Sequence, residues 1–185
     1  MATTVTINSG NNEWYTPAYV LDIVRAWFVD ADNTIGLDPA SSAAANANVK
    51  ALKYYTQADD GLAQDWSCDS LFLNPPYSRD LFPKFIDKFI STWTSAKGPS
   101  AAAVLCNNNT ETGSGQKLLK HCSFALFFDH RIKFLDSDNK QRNTPTQGQV
   151  LYLFGRSYST FVRTLRRYSD FFSLAEAHGT LLYRL

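Results

Sequence analysis

The sequence predicts an α/β domain with a mostly parallel sheet and an antiparallel end. Three observations lead there. Short apolar runs, bounded by turn residues, read as buried strands, and they alternate with segments whose apolar residues recur every three or four positions, as on one helix face. That alternation is the pattern of a parallel sheet covered on both faces by helices. With 185 residues the chain has room for one domain, residues 1–185, and no second substrate or recognition domain is expected.

Residues 1–12 are polar and poor in large apolar groups, and are expected to form a flexible lead-in. Thr16-Pro17 is a helix start, with a hydroxyl able to cap free N–H groups and a proline set for the first turn. Tyr19, Val20, Ile23, Val24, Trp27 and Phe28 then share one face of a helix. TIGLD is a strand ending in Asp38-Pro39, and the alanine-rich SSAAANANVKAL is a helix. KYYT is a second short strand, followed by the turn ADDG. SLFL is a buried strand stopped by Asn74-Pro75-Pro76, since proline cannot donate to a ladder. From Leu81 the positions Leu81, Phe82, Phe85, Ile86, Phe89, Ile90 and Trp93 form an amphipathic helix. SAAAVLC is a strand, NNNTETGSG a loop, QKLLKHC a short helix and SFALFF a strand. RIKFL and QVLYLFG form a strand pair around a polar insertion. FVRTLRRY is helical, and TLLYRL closes as a strand.

Composition narrows the function classes. The 44% hydrophobic and 19% charged residues suit a chain that buries a core. No apolar run reaches the roughly 18 residues that span a bilayer, and the N-terminus lacks a signal-peptide pattern, so a cytoplasmic protein without membrane association is expected. Cys68, Cys106 and Cys122 are widely spaced, with no C-x-x-C pair and only three histidines in the chain. A disulfide framework and a metal site are both disfavoured. The net charge of +1 excludes a highly basic DNA coat but conceals an asymmetry. Residues 1–100 carry 7 Lys and Arg against 11 Asp and Glu, whereas residues 101–185 carry 11 against 6. A polyanion facing the second half and a chance scatter of surface charge both fit this.

Ligands of open α/β sheets sit at the carboxyl ends of strands. Three polar clusters fall there: Asp38-Pro39, Asp65-Trp66 and Asn74-Pro75-Pro76-Tyr77. The last suits transfer to an exocyclic amine. Adenine N6 is a poor nucleophile because its lone pair is delocalised into the ring. The Asn74 side-chain oxygen and the Pro75 carbonyl, each accepting one amino hydrogen, would pull that nitrogen toward tetrahedral geometry and stabilise the developing charge. The prolines turn the carbonyl away from a ladder. Tyr77 offers an aromatic face to an extruded base. Such a transfer needs no covalent enzyme intermediate, and no nucleophile, base and orienter set is recognisable. A plain strand-ending turn also accounts for Asn-Pro.

The order NEWYTP, LDPASS, YYTQADDGLAQDW, FLNPPYS, VLCNNNTETGSG, RIKF and GQVLYLFG resembles the phage-type DNA adenine-N6 (Dam-like) methyltransferases along the whole chain. The resemblance implies a Rossmann-like methyltransferase fold with S-adenosyl-L-methionine as donor and double-stranded DNA as partner. It also implies a phage- or prophage-encoded protein in a bacterial cytoplasm. Carried over by position, it places Tyr15, Thr16 and Pro17 in the donor pocket, with the Thr16 hydroxyl at the methionine carboxylate. A helix N-terminus attracts anions, so this agrees with a capping role for Thr16. Asp38, beside Pro39, would bind the methionine portion. Asp65 would accept from the donor's adenine amino group, with Leu62 or Trp66 packing on the ring. Where wider methyltransferase families have a glycine-rich turn, this chain has Asp38-Pro39-Ala40-Ser41-Ser42. Asp59 and Asp60 are both candidates for the ribose-binding acid.

On the DNA side, base reading is expected from loops 107–115 and 136–149, including Asn108 and Thr110. Lys117, Lys120, Arg131, Lys133, Lys140 and Arg142 flank them and would contact phosphates, which position the duplex without specifying sequence. Each also suits a solvated surface, as do Arg163, Arg166 and Arg167 opposite Phe161, Val162 and Leu165. The expected activity is site-specific adenine-N6 methylation of a flipped base, with no obligate protein partner evident. Methylation of RNA or of a protein glutamine amide uses the same chemistry. A non-catalytic nucleic-acid-binding protein on a methyltransferase scaffold is the alternative from outside the enzymes.

Overall fold

A computed structural model describes residues 15–136, 140–141, 147–156 and 168–183. One sheet of seven strands organises them: β1 (Leu37–Asp38), β2 (Lys53–Tyr54), β3 (Ser70–Leu73), β4 (Ala101–Asn107), β5 (Phe124–Phe128), β6 (Gln149–Gly155) and β7 (Gly179–Tyr183), in the spatial order β2-β1-β3-β4-β6-β5-β7. β2, β1, β3 and β4 run parallel, while β6 is antiparallel to both β4 and β5, and β7 is antiparallel to β5. The sheet is thus mixed. The antiparallel region is a full half rather than a single end.

Among the described residues five α-helices cover the sheet: α1 (Ala18–Trp27), α2 (Ala43–Val49), α3 (Phe82–Thr94), α4 (Gly113–His121) and α5 (Ser169–Glu176). Strand alternation sends side chains to two cores. Ala101, Ala103 and Leu105 of β4 pack with α1, α2 and α5, whereas Ala102, Val104 and Cys106 pack with α3 and α4. Trp27 joins α1 to the antiparallel half, its indole donating to the Phe154 carbonyl at 3.1 Å and its ring meeting Phe124 and Phe171. Ser70 ties β3 to the approach of β1 by donating to the Thr34 carbonyl at 2.6 Å and accepting from the Gly36 N–H at 2.8 Å.

Several expectations change. Thr16 does not cap α1: the N-cap is Pro17, whose carbonyl accepts from Val20 and Leu21, so the helix starts two residues beyond Thr16. RIKFL is not a strand of the sheet. Ile132 and Phe134 are buried in it as an irregular connector, and only Leu135 pairs, with Tyr15 and Gln141. The GSG of the expected loop is the first turn of α4, because the Thr112 hydroxyl caps it by accepting from Gly115 N–H at 3.1 Å. Leu81 precedes α3 and is exposed rather than part of its buried face. α5 was not anticipated. The lead-in 1–12, the FVRTLRRY segment up to residue 167, and Arg142, Arg163, Arg166 and Arg167 lie outside the described residues.

Candidate active site

The order of the parallel strands creates the site. From β1 the chain moves outward to β2, then returns to the other side of β1 as β3, so the connections leaving β1 and β3 diverge. A crevice opens at such a reversal, beyond the carboxyl ends of the strands. Asp38 ends β1 and Asn74 directly follows β3. Between them lies a cavity of about 340 Å³, walled by Tyr15 and Thr16 ahead of α1, the 38–42 turn, the 55–62 segment, Asn74 to Tyr77, Leu81 and Phe85.

Asp38 is the buried acid of this cavity, 3% exposed. Burial pushes its carboxyl up to about 6, against the Ala40 N–H at 3.2 Å and the nearby Ser41 hydroxyl, which favour the charged form. Among the described residues no lysine, arginine or histidine forms an ion pair with it. The Ser41 hydroxyl approaches without completing a hydrogen bond, and its buried oxygen has no partner among the described residues. A carboxylate and a hydroxyl left this way favour a cationic, hydrogen-bonding ligand. The turn is otherwise tightly built: Ser42 caps α2 by accepting from Ala45 N–H at 3.1 Å and donates to the Tyr15 hydroxyl at 3.4 Å.

At the opposite wall the Asn74 amide sits between two hydroxyls. Tyr77 donates to Asn74 Oδ1 at 3.0 Å, and Asn74 Nδ2 donates to Thr16 Oγ1 at 3.4 Å. Burial holds the Tyr77 hydroxyl well above its usual pKa, so it remains a donor. An amide oxygen has two acceptor sites, so the Tyr77 bond is compatible with accepting an amino hydrogen as well. The Tyr77 ring lies 6.2 Å from Phe82, nearly parallel to it.

The cavity thus brings together Tyr15, Thr16, Asp38, Pro39, Asn74, Pro75, Pro76 and Tyr77. It does not bring in Pro17, Asp65 or Trp66. Asp65 is exposed and its carboxylate accepts from the N–H and hydroxyl of Ser67. Trp66 is buried beneath the wall, with its indole donating to the Gly61 carbonyl at 2.8 Å and its ring against Phe85. Leu62, the alternative named for ring packing, does line the cavity. Of the two adjacent acids, Asp59 closes a capping box with Thr56, whereas Asp60 lines the cavity. Ser41, Ser42, Tyr55, Gln57, Gly61 and Phe85 also line it without having been singled out by sequence. Their only signal was membership of LDPASS for Ser41 and Ser42, of YYTQADDG for Tyr55, Gln57 and Gly61, and of the buried face of α3 for Phe85.

The basic residues are less gathered. Arg131 and Lys133 are exposed on either side of buried Ile132, whose N–H donates to Gln149 Oε1 at 3.3 Å. Lys140 is exposed, and its backbone pairs with Asp136. Asn108 is exposed, with its N–H donating to Gly148, while Thr110 accepts from Gln116 through its carbonyl. Lys117 is engaged with Asp87, tying α4 to α3. Lys120 is exposed near the end of α4. Arg131 follows β5, which runs parallel to β4 across β6, so it shares the sheet edge that carries the cavity.

An acid and an amide facing one cavity at the strand reversal of an α/β sheet define a ligand-binding site of the kind that takes extended small molecules. The family model for DNA N-6-adenine-methyltransferase (Dam) matches residues 3–171, and the chain belongs to that family. No match was found among curated proteins. Among the described residues no helix is long and apolar enough to cross a membrane.

Proposed function

We propose that the protein transfers a methyl group from S-adenosyl-L-methionine to N6 of an adenine turned out of double-stranded DNA. The observation that carries this reading is the Asn74 amide, held between Tyr77 and Thr16 on the wall of the cavity that contains Asp38. When bound, the donor supplies an electrophilic methyl group. The residues present fit it: Asp38 and Ser41 suit an ammonium, Asp60 suits hydroxyls of a sugar, and Leu62 and Phe85 give apolar walls for a ring.

Toward the target base, Asn74 Oδ1 and the Pro75 carbonyl accept the two amino hydrogens and stabilise positive charge developing on N6. The aromatic face of Tyr77 receives the extruded base, whose unstacking is offset by that contact. Arg131, Lys133 and Lys140, and Arg142 by sequence, meet phosphates; the loops containing Asn108 and Thr110 approach base edges. Recognition therefore falls to loops of the methyltransferase domain itself.

Two assays test this. In competition between duplex DNA, RNA and a glutamine peptide, DNA is expected to be the methyl acceptor; transfer to RNA or peptide instead would replace it as substrate. Asn74→Ala is expected to leave donor binding nearly intact while lowering turnover on the order of 10²-fold or more, as when a preorganised hydrogen bond is lost. Undiminished turnover would remove the catalytic role of the amide.

A further inference from the structure

The 59–66 segment, whose residues Asp60, Gly61 and Leu62 form one wall of the cavity, is held mostly by its own neighbours in sequence. Gln64 donates to the Asp59 carbonyl at 2.6 Å, Trp66 to Gly61 at 2.8 Å and Tyr55 to Asp65 at 2.9 Å. These bonds set the shape of the segment. They do not fix it against the helix that follows Asn74 to Tyr77.

Lys88 of α3 does that. Its ammonium donates to the Leu62 carbonyl at 2.6 Å and to the Gln64 carbonyl at 2.5 Å, and lies 5.1 Å from the centre of the Trp66 ring. The other side chains that bond to the 59–66 segment from outside it, those of Tyr55, Thr56, Ser67 and Cys68, are its close neighbours in sequence, so among the described residues only Lys88 reaches it from another part of the fold. Two charge-assisted bonds and a cation over an aromatic face are strong for a half-buried group. Desolvation lowers the Lys88 pKa, while Asp65 and Asp60 act in the opposite direction. α3 begins five residues after Tyr77 and also contributes Phe85 to the cavity. One lysine therefore spans the wall assigned above to the donor and the helix that follows the target-base residues.

We infer that Lys88 is a positioning residue, whose ammonium clasps the 61–64 wall to α3 and so sets the width of the cavity for the donor. This rests on the methyltransferase reading for the identity of the ligand, though not for the clasp itself. Lysine is suited to it because a compact ammonium can serve two converging carbonyls at once.

The test compares the wild-type protein with Lys88→Met and Lys88→Arg. Amide hydrogen exchange in the absence of ligand is expected to accelerate at residues 61–66 in Lys88→Met while the β3–β4 core stays protected. Titration with S-adenosylhomocysteine is expected to show a roughly tenfold weaker Kd in Lys88→Met, in line with the loss of charged hydrogen bonds. Recovery of most of that affinity is expected in Lys88→Arg, and affinity for duplex DNA should not change. Unaltered exchange at 61–66, or exchange raised equally throughout the core, overturns the clasp. Local loosening with wild-type ligand affinity overturns its role in setting the cavity. A wild-type protein that binds no S-adenosylhomocysteine contradicts the proposed donor and, with it, the role of Lys88 toward that donor, while the exchange result still judges the clasp.

Discussion

Asp38 and Asn74 end adjacent parallel strands, yet their environments set them to opposite tasks. Asp38 is a buried acid raised to about 6 from an ordinary 3.8, chiefly by burial. In the unliganded protein this group favours the folded state at low pH. That advantage is lost as pH rises through about 6, because the folded chain must then carry a buried charge that the unfolded chain carries in water. A cationic ligand reverses the balance by pairing with the carboxylate. Donor affinity is therefore expected to rise about tenfold between pH 5 and pH 7, following the ionised fraction of a group titrating near 6. Calorimetric titration across that range checks this. In Asp38→Asn the affinity should be lower and flat over the same interval; an unchanged slope would assign the pH dependence elsewhere. Asn74, by contrast, cannot titrate, and its hydroxyl neighbours Tyr77 and Thr16 hold its amide rather than its charge. Thr16 acts on the amide side of the cavity, not as the expected helix cap.

At the scale of elements, the site depends on loops pressed closely against the sheet. Gly61 shows this: a Cβ placed there would lie 2.1 Å from the Pro39 carbonyl oxygen, nearer than atoms can approach. Gly61→Ala must push the 57–62 segment away from the 38–42 turn, with an expected cost on the order of 1–3 kcal/mol. Thermal melting and donor titration should show lower stability and weakened binding together. Retention of both would mean that the two segments are not in contact as described. The long, strongly periodic elements were legible in the sequence. α3 reads from Phe85, Ile86 and Phe89, all buried, and α1 from Val20, Ile23 and Val24. The ends of β1 and β3 were legible because Asp38-Pro39 and Asn74-Pro75 interrupt apolar runs. What escaped was decided by partners distant in sequence. Ile132 and Phe134 alternate as in a strand but are buried without ladder partners, because β6 pairs with β4 and β5 instead. α5 owes its burial to Phe171 and Ala175 meeting α1, which eight residues of local pattern do not reveal. Asp65 and Trp66 resemble a binding pair on paper, but the turn directs the acid to Ser67 and the ring under the wall.

For the whole molecule, the two halves of the chain take different parts of the sheet. The first half supplies the parallel strands β1 to β3 and most of the cavity, and carries the acidic excess; the strands β5, β6 and β7, from the basic half, form the antiparallel side. The sheet joins them through β4 and β6, paired over seven residues, so the cavity and the exposed cations after β5 share one rigid edge. A polyanion lying along that edge would meet Arg131 and Lys133 while one of its bases reaches Asn74. The most direct measurement is nucleoside analysis of duplex DNA after incubation with the purified protein and isotopically labelled S-adenosyl-L-methionine. The account predicts label in N6-methyladenine, accumulating more slowly, on the order of 10²-fold or more, when Asn74 is replaced by alanine. DNA of varied sequence that acquires no N6-methyladenine, or acquires label on another base, would contradict it.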